Sequence, residues 1–195
     1  MTLSIEDHPA PLSSSWLKQY YFTRFAFSAT WVVIAFLVAQ SVPSLAAVML
    51  VSYPAWDAIA NFIDAERSGG LRRNKAQLLN FVCSVLTTIA VAIALAWSMN
   101  SVLVVFGIWA GFSGLFQLAT AVGRWRSFGA QWVMILSGAQ SALAAIFMIE
   151  RAYGPDPVAI VSVAPYAAFG AVYFALSAIL LTISDARKGR LGVGS

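Results

Sequence analysis

Asp57 is the residue whose chemistry most needs accounting for. It follows Tyr53-Pro54-Ala55-Trp56 inside an apolar stretch. A carboxylate there costs about 2.5 kcal/mol or more unless it is paired, hydrated or protonated. Tyr53, Asp57, Asn61 and Asp64 fall at i, i+4, i+8 and i+11, and so share one face of a helix. A turn near residue 42 brings position 24 level with position 61. That places Arg24 between Asp57 and Asp64, within reach of either. Such a set could form a protonatable or ion-binding site at the mouth of a helix bundle. The same residues would serve equally as an ion pair that pins two helices together.

A second polar line runs through Asn80, Ser84, Thr87 and Thr88, with Ser113 and Gln117 expected to face it and Ser137, Gln140 and Ser141 further along the chain. These residues could line a narrow polar cavity. They could also be interhelical hydrogen bonds worth about 1 kcal/mol each. Enzyme signatures are missing. There is no G-x-S-x-G elbow, P-loop or G-x-G-x-x-G fingerprint. One histidine, His8 in a Pro/Ser-containing tail, gives no metal-ligand pair, and the single cysteine, Cys83, excludes an intrachain disulfide. The expectation is therefore no catalysis, no metal and no cofactor.

The elements that must position these side chains are apolar and long. Hydrophobic residues make up 60% of the chain and charged residues 10%, against about 25% charged in an average soluble domain. Six stretches, at about 21–41, 45–63, 78–97, 101–122, 130–149 and 160–183, each approach the roughly 20 residues needed to cross a bilayer as a helix. The predicted fold is an all-α integral membrane protein. A tail over 1–19, a six-helix domain over 20–185 and a tail over 186–195 make up the chain. Of its twelve Lys and Arg residues only Arg151 falls on the other side from the rest, so the positive-inside bias puts both termini in the cytoplasm. Trp16, Tyr20, Tyr21 and Phe22 suit an interfacial anchor, and the first span is too long for a cleavable signal. The net charge of +4 is spread over loops and tails. That distribution suits topology and anionic headgroups, with the lipid bilayer as partner and no nucleic acid.

Inner-side charges return at a period of roughly 60 residues. The matching segments are Ile63-Asp64-Ala65-Glu66-Arg67-Ser68, Val122-Gly123-Arg124-Trp125-Arg126-Ser127 and Ser184-Asp185-Ala186-Arg187-Lys188-Gly189. This predicts three tandem transmembrane hairpins. Close packing is expected where small residues recur: Gly107, Gly111 and Gly114 in the fourth span, Ser137 and Gly138 in the fifth, and Ala167 and Ala171 in the sixth. Pro54 and Pro165 are expected to kink their helices.

The segment Gly107-Ile-Trp-Ala-Gly-Phe-Ser-Gly114-Leu-Phe-Gln117, followed by Trp132-Val-Met-Ile-Leu-Ser-Gly138-Ala-Gln-Ser141, resembles the HdeD-like family of small bacterial membrane proteins. The resemblance implies repeated hairpins, six spans, residence in the inner membrane and a part in acid or envelope stress. It brings no catalytic or ligand residue. Tyr53-Pro54-Ala55-Trp56-Asp57 and the longer loop over 64–75 depart from the family pattern and mark a divergent subgroup. Two other roles fit the same residues. One is a small transporter or channel for protons, ions or a small solute, using Asp57 and the polar lines. The other is an accessory subunit whose small-residue faces dock a larger membrane protein; a homo-oligomer is a separate expected partner and would count against it.

Overall fold

The computed structural model describes the backbone of residues 14–73, 75–123 and 131–192, and the side chains of residues 15–73, 75–116, 118 and 135–187. Among these residues the chain forms six long α-helices and no strand: α1 Ser14–Leu37, α2 Pro43–Arg67, α3 Lys75–Ala94, α4 Met99–Gly123, α5 Gln131–Tyr153 and α6 Ala164–Gly192. Short 3-10 turns at Ala39–Ser41 and Ile160–Ser162 join α1 to α2 and α5 to α6. The loop over 124–130, with Arg124 and Arg126, lies outside the described residues, as does His8.

Local signals explain most helix ends. Pro43 opens α2 at its first position, where the missing N–H has no partner to lose. Gly69 and Gly70 take positive φ (97° and 91°) after α2. The Gly70 N–H returns to the Ala65 carbonyl at 2.8 Å, closing the helix as a Schellman turn. Ser98 caps α4 by accepting the Ser101 N–H at 3.0 Å. Asn100 is therefore inside α4 rather than in the connection before it, and its amide donates to the Ala152 carbonyl at 2.7 Å. Pro165 corrects the sequence expectation. It sits in the first turn of α6, where it starts the helix instead of kinking it. Pro54 is internal to α2 and has no N–H for the Leu50 carbonyl. In the same turn the Met49 carbonyl accepts the buried Trp31 indole N–H at 2.8 Å.

The helices follow one another around the bundle in chain order, and α6 closes on α1. The extensive contacts are α4 with α5, α1 with α6 and α2 with α3; α1 with α2 and α5 with α6 touch only lightly. The expected hairpins are thus not the tightly packed pairs. Turn length decides which helices are neighbours, but small side chains decide how near their backbones come. Aromatic rings fill the centre. Tyr53 meets Trp31 at 5.1 Å and Trp109 at 6.1 Å between ring centroids, and Trp109 meets Tyr166 at 6.0 Å.

The outside is apolar on every helix. Leu37, Val48, Leu86, Leu115, Phe147 and Leu180, one from each of α1 to α6, are all more than half exposed, whereas Ser28, Asn61, Asp64, Ser84 and Thr87 are buried. That inversion suits a lipid solvent. Among the described residues, stretches of five helices, α1, α2, α3, α4 and α6, are long and apolar enough to cross a membrane. Lys18 meets Asp185 at 2.9 Å where α1 and α6 share an end. Both side chains are 28% exposed, so Lys18→Ala should change stability by less than about 1 kcal/mol. Thermal unfolding of the purified variant checks this.

Candidate functional site

Arg24 and Asp57 form an ion pair between α1 and α2. The carboxylate is engaged from both sides. Arg24 holds Oδ1, while the Asn61 amide and the Ser84 hydroxyl donate to Oδ2 at 2.8 and 2.7 Å. Asn61 sits one turn along the same helix, as its i+4 spacing requires, and its amide also donates to the Asp57 backbone carbonyl at 2.8 Å. Ser84 comes from α3, so three helices meet on one carboxylate. This site is largely closed: the Arg24 and Asp57 side chains are 12% and 18% exposed.

The guanidinium is also held from its other sides. Arg24 donates to the Tyr20 hydroxyl at 2.9 Å, one turn back. It also lies 4.2 Å from the centroid of the Phe174 ring on α6, a cation–π contact. Among the described residues its Nε–H has no hydrogen-bond partner, nor does the buried indole N–H of Trp56. Each such buried donor costs about 1–3 kcal/mol. Arg24 and Trp56 both line a cavity of about 180 Å³ between α1 and α2.

Of the two carboxylates within reach of Arg24 along the sequence, the structure selects Asp57. Asp64 instead accepts the Gln77 amide at 2.6 Å, across the loop between α2 and α3. Tyr53 shares the face of Asp57 but turns its hydroxyl to Ser28 on α1. Gly170 on α6 packs beside it, and an added Cβ there would make an ordinary contact with the Tyr53 hydroxyl at 3.4 Å. Asn80 and Gln140 are half-buried on α3 and α5 and stay outside the Asp57 cluster. The side chain of Gln117 lies outside the described residues. Thr88 donates to the Ser84 carbonyl of its own helix at 2.8 Å, which takes it out of the expected polar line. Tyr166 was not legible as a polar-core residue: its hydroxyl is placed against Ser113 and Ser141, linking α6 to α4 and α5.

The small residues of α4 meet those of α5. Gly114 faces the Gly138 carbonyl and the Ala142 amide of α5, and Gly107 and Gly111 face Ala145. Gly138 is buried and Ser137 half-buried on α5. Ala167 and Ala171 are buried on α6.

Residues 80–150, covering α4, most of α3 and most of α5, match the family model described as a short repeat of unknown function. This stretch is similar to the DUF308 repeat. It is the family of the HdeD-like membrane proteins, and it contains both segments that carried the resemblance. No curated protein and no solved structure gives a match. The matched stretch supplies the close α4–α5 contact and Ser84. Arg24, Asp57 and Asn61 lie before it.

Proposed function

We propose that the chain is an HdeD-like protein of the bacterial inner membrane. In this reading all six helices span the bilayer, both termini lie in the cytoplasm, and the protein acts in acid or envelope stress without catalysis. The charge bias supports the orientation: Lys18, Arg67 and Arg187 lie toward the end of the bundle where Lys18 meets Asp185, and Arg151 lies at the opposite end. The family resemblance supports the stress role.

The observation that carries a mechanism is the carboxylate of Asp57, bound by donors from α1, α2 and α3. A neutral pair inside the bundle clamps three helices. Removing the charge of Asp57 would leave Arg24 uncompensated in a closed site, so the clamp holds only with both charges in place. A carboxylate already engaged by three donors is a better clamp than a way-station for passing ions.

Acid-challenge survival tests the proposal in a deletion strain carrying wild type, Asp57→Asn or empty vector. Wild type should protect and Asp57→Asn should not, at equal membrane abundance. Protection by both would make the clamp irrelevant to the stress role, and protection by neither would remove that role. Reconstituted wild-type protein should show no proton or ion flux across liposomes; flux abolished by Asp57→Asn would favour transport instead.

A further inference from the structure

The cavity between α1 and α2 is not used by the clamp. It lies at the end of the bundle where Lys18 meets Asp185 and opens between two helices that touch only lightly. Trp16, Gln19 and Arg24 line one side, and Trp56, Ala60 and Ile63 the other. Two of these residues present buried N–H groups without partners, Arg24 Nε and Trp56 Nε1. A guanidinium and an indole can only donate. An occupant that brings acceptor oxygens would satisfy both once these side chains turn toward it.

The surroundings narrow the chemistry further. The positive charge of Arg24 is already balanced by Asp57, so its remaining N–H suits a neutral acceptor such as an ester carbonyl. Nearer the end of the bundle, the Arg67 guanidinium stacks on Trp16 at 4.3 Å from the ring centroid, a cation that suits a phosphate. Ile63 is 38% exposed and offers an apolar edge. Aromatic side chains of this kind mark the headgroup level of a bilayer. Acceptor, anion and apolar edge in that order match one class of molecule.

We propose that this cavity seats a glycerophospholipid of the inner leaflet, its ester oxygens at Arg24 and Trp56 and its phosphate toward Arg67. The site lies outside the DUF308 stretch and does not depend on the acid-stress role, so either can fail without the other. A volume of about 180 Å³ takes the glycerol-phosphate region, while the acyl chains remain in the bilayer against α1 and α2.

Native mass spectrometry of the full chain, delipidated in detergent and titrated with phosphatidylglycerol, tests the assignment. Wild type should retain one tightly held lipid. Trp56→Phe keeps the ring that stacks on Phe27 at 4.7 Å but deletes the N–H, and should weaken retention about five- to tenfold. Ala60→Leu fills the cavity and should abolish the tight site; if that variant does not fold, Trp56→Phe still decides. Equal retention by wild type and Trp56→Phe overturns the proposal. Displacement of the lipid by millimolar inorganic phosphate also overturns it, because the site would then recognise an anion and not a lipid.

Discussion

Asp57→Ala is expected to destabilise the bundle by about 3–5 kcal/mol, the cost of leaving one partner of a buried ion pair alone. Arg24 would keep Tyr20 and Phe174, but neither carries a compensating charge. Asn61 and Ser84 would each lose an acceptor inside the bundle. Arg24→Met should also destabilise, for the mirror-image reason: a carboxylate remains with only neutral donors. The double variant Arg24→Met/Asp57→Leu removes both charges and fills similar volume. It should recover most of the loss, because exchanging a whole buried pair for apolar residues is often close to neutral. Unfolding in detergent micelles, read by circular dichroism, gives the three values, and the double-mutant cycle gives the coupling. A double variant no better than the sum of the singles would mean that Arg24 and Asp57 do not act as a pair. A single Asp57→Ala as stable as wild type would mean that the site is hydrated and the closed geometry irrelevant.

The sequence brought Arg24 within reach of Asp57 and Asp64 without choosing between them, and the reason is geometric. A short connection after α1 fixes the register of α1 and α2, and residues equally far from it on either side must lie level. The turn falls at Ala39–Ser41, slightly earlier than the expected residue 42, and so sets Arg24 level with Asp57 instead of Asn61. The i+4 step from Asp57 to Asn61 was legible for the same kind of reason. Ser84 and Tyr166 reach their partners across contacts that no short turn sets. Ser84 stood among several hydroxyls on α3, and only the rotation of α3 against α2 singles it out. Tyr166 meets Ser113 and Ser141 because α6 closes the bundle next to α5 and α1. The order and rotation of helices depend on side-chain fit over the whole bundle, and periodicity is silent on that. Small-residue spacing did announce the tight face of α4. What it left open was which helix would take that face, and the structure gives it to α5.

The same α4–α5 face yields a graded expectation in which three glycines on one helix respond differently to the same methyl group. At Gly114 an added Cβ would lie 2.6 Å from the Gly138 carbonyl oxygen and 2.8 Å from the Ala142 amide nitrogen. Both are backbone atoms, so no rotamer change relieves the clash and the two helices must separate. At Gly107 the nearest atom is the Ile149 side chain at 3.0 Å, with the Ala145 carbonyl at 3.2 Å; the side chain can turn, but the carbonyl cannot. At Gly111 only the Ala145 methyl is near, at 3.4 Å, an ordinary contact. Gly114→Ala should therefore cost about 2–3 kcal/mol or more through overpacking. Gly107→Ala should cost less than that, and Gly111→Ala should be neutral or stabilising, since alanine gains up to about 1 kcal/mol over glycine inside a helix. Unfolding of the three variants in micelles tests the order. The informative comparison is Gly114 with Gly111, which lie less than one turn apart. If both tolerate alanine, the two backbones do not approach as closely as the small-residue face requires. If both fail, the face is tight along its whole length and the contact at Gly111 is closer than ordinary. A loss largest at Gly114, smaller at Gly107 and absent at Gly111 would locate the closest approach of α4 and α5 where Gly114 meets Gly138.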